Sequence, residues 1–275
     1  MNVFTVDVEE WFHICGVGGP LSQANWTALP SRVVPTTRRV LDLLSGAGIR
    51  ATFFVVGWIA ERHPDLIREI VAAGHEVGSH SHQHRKVFEL TPPEFSADLA
   101  ASRAALVAAG APRPTVYRAP EWSIDDRASW ALDVLRAQGF DTDASRAPVR
   151  LVGRIDYPRV PHLHATSHGP IVEIPPFVVD RFGQVMPIGW GWALRMSSAR
   201  RVLRAIEQAN RAGRPAVLTV HPWEIDPDPP RVALSPRLRF AHYFRLSGFE
   251  ARLKDIMPNA PFTTMAALAA KARAS

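Results

Sequence analysis

His80 and His84 are the residues of this chain best suited to chemistry. They lie four apart in the run His80-Ser81-His82-Gln83-His84. Two imidazoles at that spacing fall on one side of a helical turn, close enough to share a metal ion. Carboxylates are available in Asp7-Val8-Glu9-Glu10. On a strand, residues two apart share a face, so Asp7 and Glu9 can both point into one site. One of them would complete a two-histidine, one-carboxylate metal set, and the other would act as a base. That chemistry is metal-assisted hydrolysis. The plainer reading of these carboxylates is an acidic strand-end loop in water, which suits Glu10 better, and His82 alternates away from the pair. His75-Glu76 begins like a zincin motif, but the next histidine follows five residues later and the match is discounted.

These residues need a scaffold that brings distant segments together. Asn2–Val8 is apolar and β-branched, the pattern of a buried strand, and residues 51–56 form a second. A helix is expected over 35–44, with Pro35 in its first turn and Gly46 and Gly48 at its exit. Another covers 64–73 and stops at Gly74. Residues 76–78 make a short strand that leads straight into the histidines. Thr91-Pro92-Pro93-Glu94 has capping-box spacing and starts a helix running to 109. A strand over 115–117 leads into Arg118, a helix covers 127–137, and Phe140 opens another short strand. Strands at 171–174 and 216–220 flank a helix over 198–212, and long loops interrupt at 11–31 and 146–168. Strands alternating with helices imply an α/β fold on a parallel sheet or barrel.

In such a scaffold the polar candidates share one place. Asp7 and Glu9 follow the first strand, His80 and His84 the third, and Arg118 the fourth. Asp143 follows the short strand after Phe140, and His221 the strand 216–220. All fall at carboxyl ends of strands, where barrel enzymes place their active sites. Arg118 can pair with a catalytic aspartate, and Trp122 can wall a sugar ring; the plainer reading is a loop around a half-buried tryptophan. His221 can act as a general acid, with Asp143 holding the imidazole and favouring its protonated form. A histidine satisfied in the core is the alternative.

The chain has 275 residues and is 47% hydrophobic, enough for a large α/β core. One compact domain over 1–221, with a C-terminal extension over 222–275 packed on it, is the simplest division. Cys15 is the single cysteine, so no intrachain disulfide framework exists, which fits a reducing compartment. The net charge is +6, and lysine occurs only at 86, 254 and 271. The arginines are scattered and no nucleic-acid partner is expected; peripheral membrane contact is compatible with the charge. No stretch approaches the ~18 apolar residues of a transmembrane span. The chain opens without a basic, then apolar leader, and a cytoplasmic location is expected.

Five short segments, in order, carry a family likeness. They are Thr5-Val6-Asp7-Val8-Glu9, His80-Ser81-His82-Gln83-His84, Arg118-Ala119-Pro120-Glu121-Trp122, Asp143-Ala144-Ser145 and Leu218-Thr219-Val220-His221. Together they resemble the motif set of the NodB-type polysaccharide deacetylases, carbohydrate esterase family four. The tail resembles the subgroup associated with exosortase and exopolysaccharide loci. It carries His221-Pro222-Trp223-Glu224-Ile225-Asp226-Pro227, then His242-Tyr243 before a helix with Arg252 and Leu253.

The resemblance implies an irregular (β/α) barrel of the NodB polysaccharide deacetylase type. It implies hydrolysis of the N-acetyl group of an amino sugar in a polysaccharide, glycan precursor or sugar conjugate, with release of acetate. One divalent metal ion is implied, zinc by default, while cobalt, nickel, manganese and iron suit the same donors. The family's first motif has two adjacent aspartates. Here Val8 follows Asp7, so the ligand role transfers to Glu9, with Glu10 the fallback, beside His80 and His84. Asp7 would be the base, Arg118 its anchor, His221 the acid and Asp143 the residue that orients it. Leu218 would border the pocket for the acetyl methyl. Trp122, Trp190 and Trp192 would stack on sugar faces, although a packed loop also explains the last two. A cytoplasmic enzyme would meet a nucleotide-sugar, a lipid-linked precursor or a small glycoside, so a phosphate- or lipid-linked substrate is expected. Two other readings stay open. One is a metal-dependent amidohydrolase for another non-peptide C–N bond, and the other a non-catalytic carbohydrate-binding homologue.

Overall fold

In the computed structural model, which describes residues 1–150, 152–181 and 183–274, every residue of β1 (Asn2–Val8) is buried. A strand covered on both faces carries a near-continuous apolar run, as this one does. Strand–helix units follow it. The first half runs α1 (Val33–Gly46), β2 (Thr52–Val55), α2 (Gly57–Arg62), α3 (Pro64–Ala72), β3 (Glu76–Ser79), α4 (Pro92–Ala108), β4 (Val116–Tyr117), α5 (Ala131–Ala137) and β5 (Thr142–Asp143). Then come β6 (His162–His164), β7 (Ile171–Glu173) and a hairpin of β8 (Val178–Arg181) and β9 (Gln184–Pro187). α6 (Gly191–Met196) and α7 (Ala199–Arg211) precede β10 (Val217–Val220). The chain closes through α8 (Pro236–Tyr243), α9 (Phe249–Ile256), β11 (Phe262–Thr263) and α10 (Met265–Ala274).

The main sheet has the order β10-β1-β2-β3-β4-β5-β7-β6, with β11 added along the start of β1. All pairings are parallel except β6 with β7. The sheet curls into a half-barrel, so the fold is the irregular (β/α) barrel the motifs imply.

Strand alternation sorts the two faces. Phe4, Val6 and Val8 of β1, with Leu218 and Val220 of β10, face outward into one cluster with Val40 and Leu44 of α1, Ile67 and Ile70 of α3, Val202 and Ile206 of α7, and Leu253 and Ile256 of α9. The inner face is apolar only at its lower end. There Val3, Phe54, Val116 and Val217 pack on Met265, Leu268 and Ala269 of α10, which plugs the barrel. Residues 222–275 therefore share both the outer and the inner cluster with the rest of the chain. Among the described residues no helix is long and apolar enough to cross a membrane.

Local signals place several elements where expected. Thr91 and Glu94 form the reciprocal capping box at the start of α4, with the Thr91 amide donating to Glu94 at 2.7 Å. Ser198 caps α7 through the Arg201 amide. Elsewhere boundaries move. α1 begins at Val33 rather than 35, and the helix over 127–137 divides into a 3-10 turn, Asp126–Ala128, and α5. The strand near Phe140 falls at Thr142–Asp143. The loop over 11–31 contains two 3-10 turns, and the loop over 146–168 contains β6.

α2 was not foreseen, and it matters for the site. Its first amides, on Gly57 and Trp58, donate to the carbonyls of Ser81 and His82 at 2.9 and 3.0 Å. Gly57 must lack a side chain: a Cβ there would lie 2.5 Å from His82 Nδ1 and 2.9 Å from Ser102 Cα. Gly57→Ala is expected to lose about 1–3 kcal/mol of stability through overpacking. A lower urea midpoint at unchanged slope is the expected result in equilibrium unfolding.

Candidate active site

β1 directs Thr5 and Asp7 to the barrel interior, and Glu9 follows them on the same side. Arg118, just past β4, reaches Asp7 across β2 and β3. Its Nη1 donates to Asp7 Oδ1 at 2.6 Å and to Thr5 Oγ1 at 2.8 Å. The guanidinium lies over the Phe54 ring at 4.3 Å, and its Nε donates to the Ala144 carbonyl at 3.4 Å. Both charged groups are buried, so each needs the other.

The histidine run is not a helical turn. Ser81 and His84 have φ of 65° and 51°, and the segment is a loop. Three hydrogen bonds replace the helical ones: Ser81 Oγ accepts from the His84 amide at 2.9 Å, and the Asp98 carboxylate of α4 accepts from His82 and Gln83 amides at 2.9 and 3.2 Å. The loop still brings the two imidazoles together, with ring centroids 5.1 Å apart. His80 donates from Nδ1 to the Arg118 carbonyl at 2.8 Å, which leaves Nε2 as the free lone pair. That Nε2 lies 3.9 Å from Glu9 Oε2 and 4.0 Å from Asp7 Oδ2. His84 Nε2 lies 2.6 Å from Glu9 Oε2. Behind His84, Cys15 Sγ lies 3.6 Å from Nδ1.

Glu9 rather than Glu10 joins the histidines. Glu10 turns away, its carboxylate accepting from Ser31 Oγ and, at 2.9 Å, from the Arg32 amide. Glu9 Oε1 accepts from Trp223 Nε1 at 3.0 Å and lies 3.8 Å from His221 Nε2. Trp223 is held between two rings, His221 at 5.2 Å and His242 at 4.2 Å.

Two expectations are corrected. The partner of the His221 ring is Glu224, not Asp143: Nδ1 donates to Glu224 Oε2 at 2.9 Å. Asp143 is turned to Ser145, whose Oγ donates to it at 2.5 Å, and to Glu173. Asp143 leaves β5, four strands from β1 along the sheet, and its neighbours there satisfy it. Leu218 does not border the pocket. Alternation along β10 sends Thr219 and His221 inward and Leu218 outward, into the helix-facing core. Glu224 had a legible signal: it lies three residues after His221, and its carboxylate also accepts from the His221 amide in the manner of a capping box.

These groups line a pocket of about 580 Å³, of small-molecule size. Trp122 and Trp190, 4.9 Å apart, and Trp192 are in its wall. Ala241 and His242 of α8 also line it. His13 and Cys15 line it near His84.

The electrostatics follow from burial among opposite charges. Burial would raise the Glu9 carboxyl, but His84, His221 and His80 outweigh it and hold it well below the usual carboxylate range. Burial lowers His80 to about 4, against the pull of Asp7, so its ring is neutral near pH 7. Burial also opposes charge on His221, yet Glu9 and Glu224 raise it to about 9. A cation on Glu9 would remove part of that support.

Among the described residues, Glu9, His80 and His84 bring their donor atoms within 4.8 Å of one another. His84 Nε2 is buried and lacks an aligned hydrogen-bond partner despite its nearness to Glu9. A carboxylate, a neutral imidazole fixed in its Nδ1–H form and a second imidazole whose Nε2 faces that carboxylate are a donor set that suits a divalent ion with open positions.

Residues 28–142 match the family described as Polysaccharide deacetylase, and residues 144–270 match a domain of unknown function, DUF3473. Chitooligosaccharide deacetylase of Bradyrhizobium sp. (strain ANU 289) is 38% identical over 110 residues, 39% of this chain and 50% of that protein. Peptidoglycan-N-acetylglucosamine deacetylase of Bacillus cereus is 26% identical over 119 residues, 39% of this chain and 43% of that protein. The chain thus spans half or less of these relatives. A crystal structure of a proposed polysaccharide deacetylase from Mycobacterium smegmatis has a TM-score of 0.62 at 20% identity, covering 99% of this chain and 89% of that one. The Puue allantoinase has a TM-score of 0.64 at 19% identity, covering 99% and 90%. These two likenesses concern the fold alone. A polysaccharide deacetylase domain is supported by the family match and by both relatives.

Metal analysis checks the ligand set. One divalent ion per chain is expected by elemental analysis after dialysis, lost in His84→Ala and retained in Glu10→Gln. Trp223→Phe removes the N–H that steadies Glu9 and should weaken binding about 10–100-fold by competition titration with a chelator.

Proposed function

We propose that this chain is a metal-dependent deacetylase that hydrolyses the N-acetyl group of an amino sugar and releases acetate. The observation that carries it is the convergence, in one tryptophan-walled pocket, of Glu9, His80 and His84 with Asp7 near His80 and His221 near Glu9. A divalent cation bound there, with zinc the default, would polarise the amide carbonyl and acidify a water molecule.

Asp7 is placed to take the proton from that water as the oxygen attacks the acetyl carbon. The Arg118 contact fixes which way its carboxylate faces. His221 then gives a proton to the nitrogen as the C–N bond breaks, so that acetate and a free amine leave. Trp122, Trp190 and Trp192 offer flat apolar faces to a sugar ring. Placement in the exopolysaccharide-associated branch draws support from the tail motifs and from the second match following the first.

The test is acetate release from N-acetylated chito-oligomers and from small acetamido glycosides. Activity should vanish with chelator and return with zinc or cobalt. Asp7→Asn should lower kcat by about 10²–10⁴-fold while metal content stays at one per chain. Turnover of a cyclic amide without acetate release would instead select the amidohydrolase reading. Metal binding without turnover of either substrate would select a binding protein.

A further inference from the structure

We infer that Glu224, clamped by Arg195, is the positioning residue for His221. The inference rests on the deacetylase reading for the task of His221, but its geometry stands apart from it. Glu224 Oε2 accepts twice from His221, from the backbone amide and from ring Nδ1, both at 2.9 Å. One oxygen thereby fixes the main chain and the ring of the same residue. With Nδ1 held by that oxygen, Nε2 faces the pocket, 3.8 Å from Glu9.

The other oxygen, Oε1, accepts from Arg195 Nε at 2.8 Å, and both partners are fully buried. Arg195 is held in place by three further donations from its Nη atoms to the end of α8. Nη1 donates to the carbonyls of His242 and Phe244, and Nη2 to that of Ala241. Arg252 of α9 in turn donates to the Arg195 carbonyl. The result is a chain from α9 through α6 to Glu224 and the ring. A buried carboxylate facing a fixed guanidinium stays ionised: burial works against charge on Glu224, but His221 and Arg195 outweigh it and lower its titration range. The ionised carboxylate accepts from Nδ1–H, which commits the proton to be transferred to Nε2.

Every part of this clamp lies in the segment matching the domain of unknown function. That segment thus orients the acid. Asp143, which the motif order suggested for this task, is engaged by Ser145 and Glu173 instead.

A proton donor matters for a poor leaving group and not for a good one, and that contrast separates positioning from structural support. For Glu224→Gln, kcat on an acetamido glycoside should fall about 100-fold. Its KM and its rate on p-nitrophenyl acetate, whose phenolate leaves without protonation, should change by less than about threefold, with metal content unchanged. Parallel losses on amide and ester would make Glu224 a structural prop. An amide kcat within about threefold of wild type would remove it from the reaction.

The variant leaves Arg195 without its counter-charge, so a second measurement uses the unmodified chain. Nitrogen-15 NMR should show the His221 ring protonated at Nδ1 with a downfield proton, assigned by its loss in His221→Asn. A ring carrying its proton only at Nε2 overturns the assignment whatever the activity. If the wild type releases no acetate, the deacetylase reading falls, while this resonance still decides the Glu224 contact.

Discussion

The structure turns on the buried ion pair between Arg118 and Asp7. The two residues leave strands separated by β2 and β3, and a flat sheet would hold them about 14 Å apart, three strand spacings. The contact of 2.6 Å is reached by the length of the arginine side chain together with the curl of the half-barrel. Neither charge has water to fall back on, so the curl and the pair sustain each other. The same residue governs the metal ligands, since the Arg118 carbonyl sets the tautomer of His80. One strand end thus fixes the orientation of a carboxylate through its side chain and of an imidazole through its backbone.

The site belongs to neither matched segment alone. Arg118, His80 and His84 lie within 28–142, whereas Trp190, Arg195, His221, Trp223 and His242 lie within 144–270. Asp7 and Glu9 precede both. Glu9 is where the groups meet: it faces His84, accepts from Trp223 and lies near His221. Its charge is balanced by imidazoles from both segments, which explains how a fully buried carboxylate persists there.

What could be read from the residues was local or periodic. Period-two alternation put Asp7 and Glu9 on one face, the capping box placed α4, and the order of strands put the polar groups at one sheet edge. The spacing of His80 and His84 suggested proximity for a reason that proved wrong. A helix was inferred, whereas Asp98 and the first amides of α2 stabilise a loop with left-handed residues. Glu10 and Glu9 were indistinguishable by type, and what separates them is the tertiary partners Ser31 and Arg32 on one side and Trp223 on the other. Asp143 and Leu218 were carried over by motif order. Motif order cannot show that a carboxylate three residues past His221 lies nearer its ring than one on β5, nor which face of β10 turns inward.

β1 has a further consequence, in the order of folding. Its register pairs Val3 with Val217 and Asn2 with Phe262, so the first strand of the chain closes against nearly the last. Contacts so far apart in sequence form late, because a long loop must close before they contribute. β2 and β3 can pair and fold back the histidine loop well before that, since only the short helices α2 and α3 lie between them. β1 can join β2 through the α1 crossover in the same way, but its other edge waits for β10. Until β10 arrives, β1 is an apolar strand with one edge unpaired, the kind of segment that invites aggregation during synthesis. The site is completed only at that closing step, because β10 brings His221 and Trp223 to Glu9, and a chain that stalls before it holds the carboxylates and the histidine pair without them.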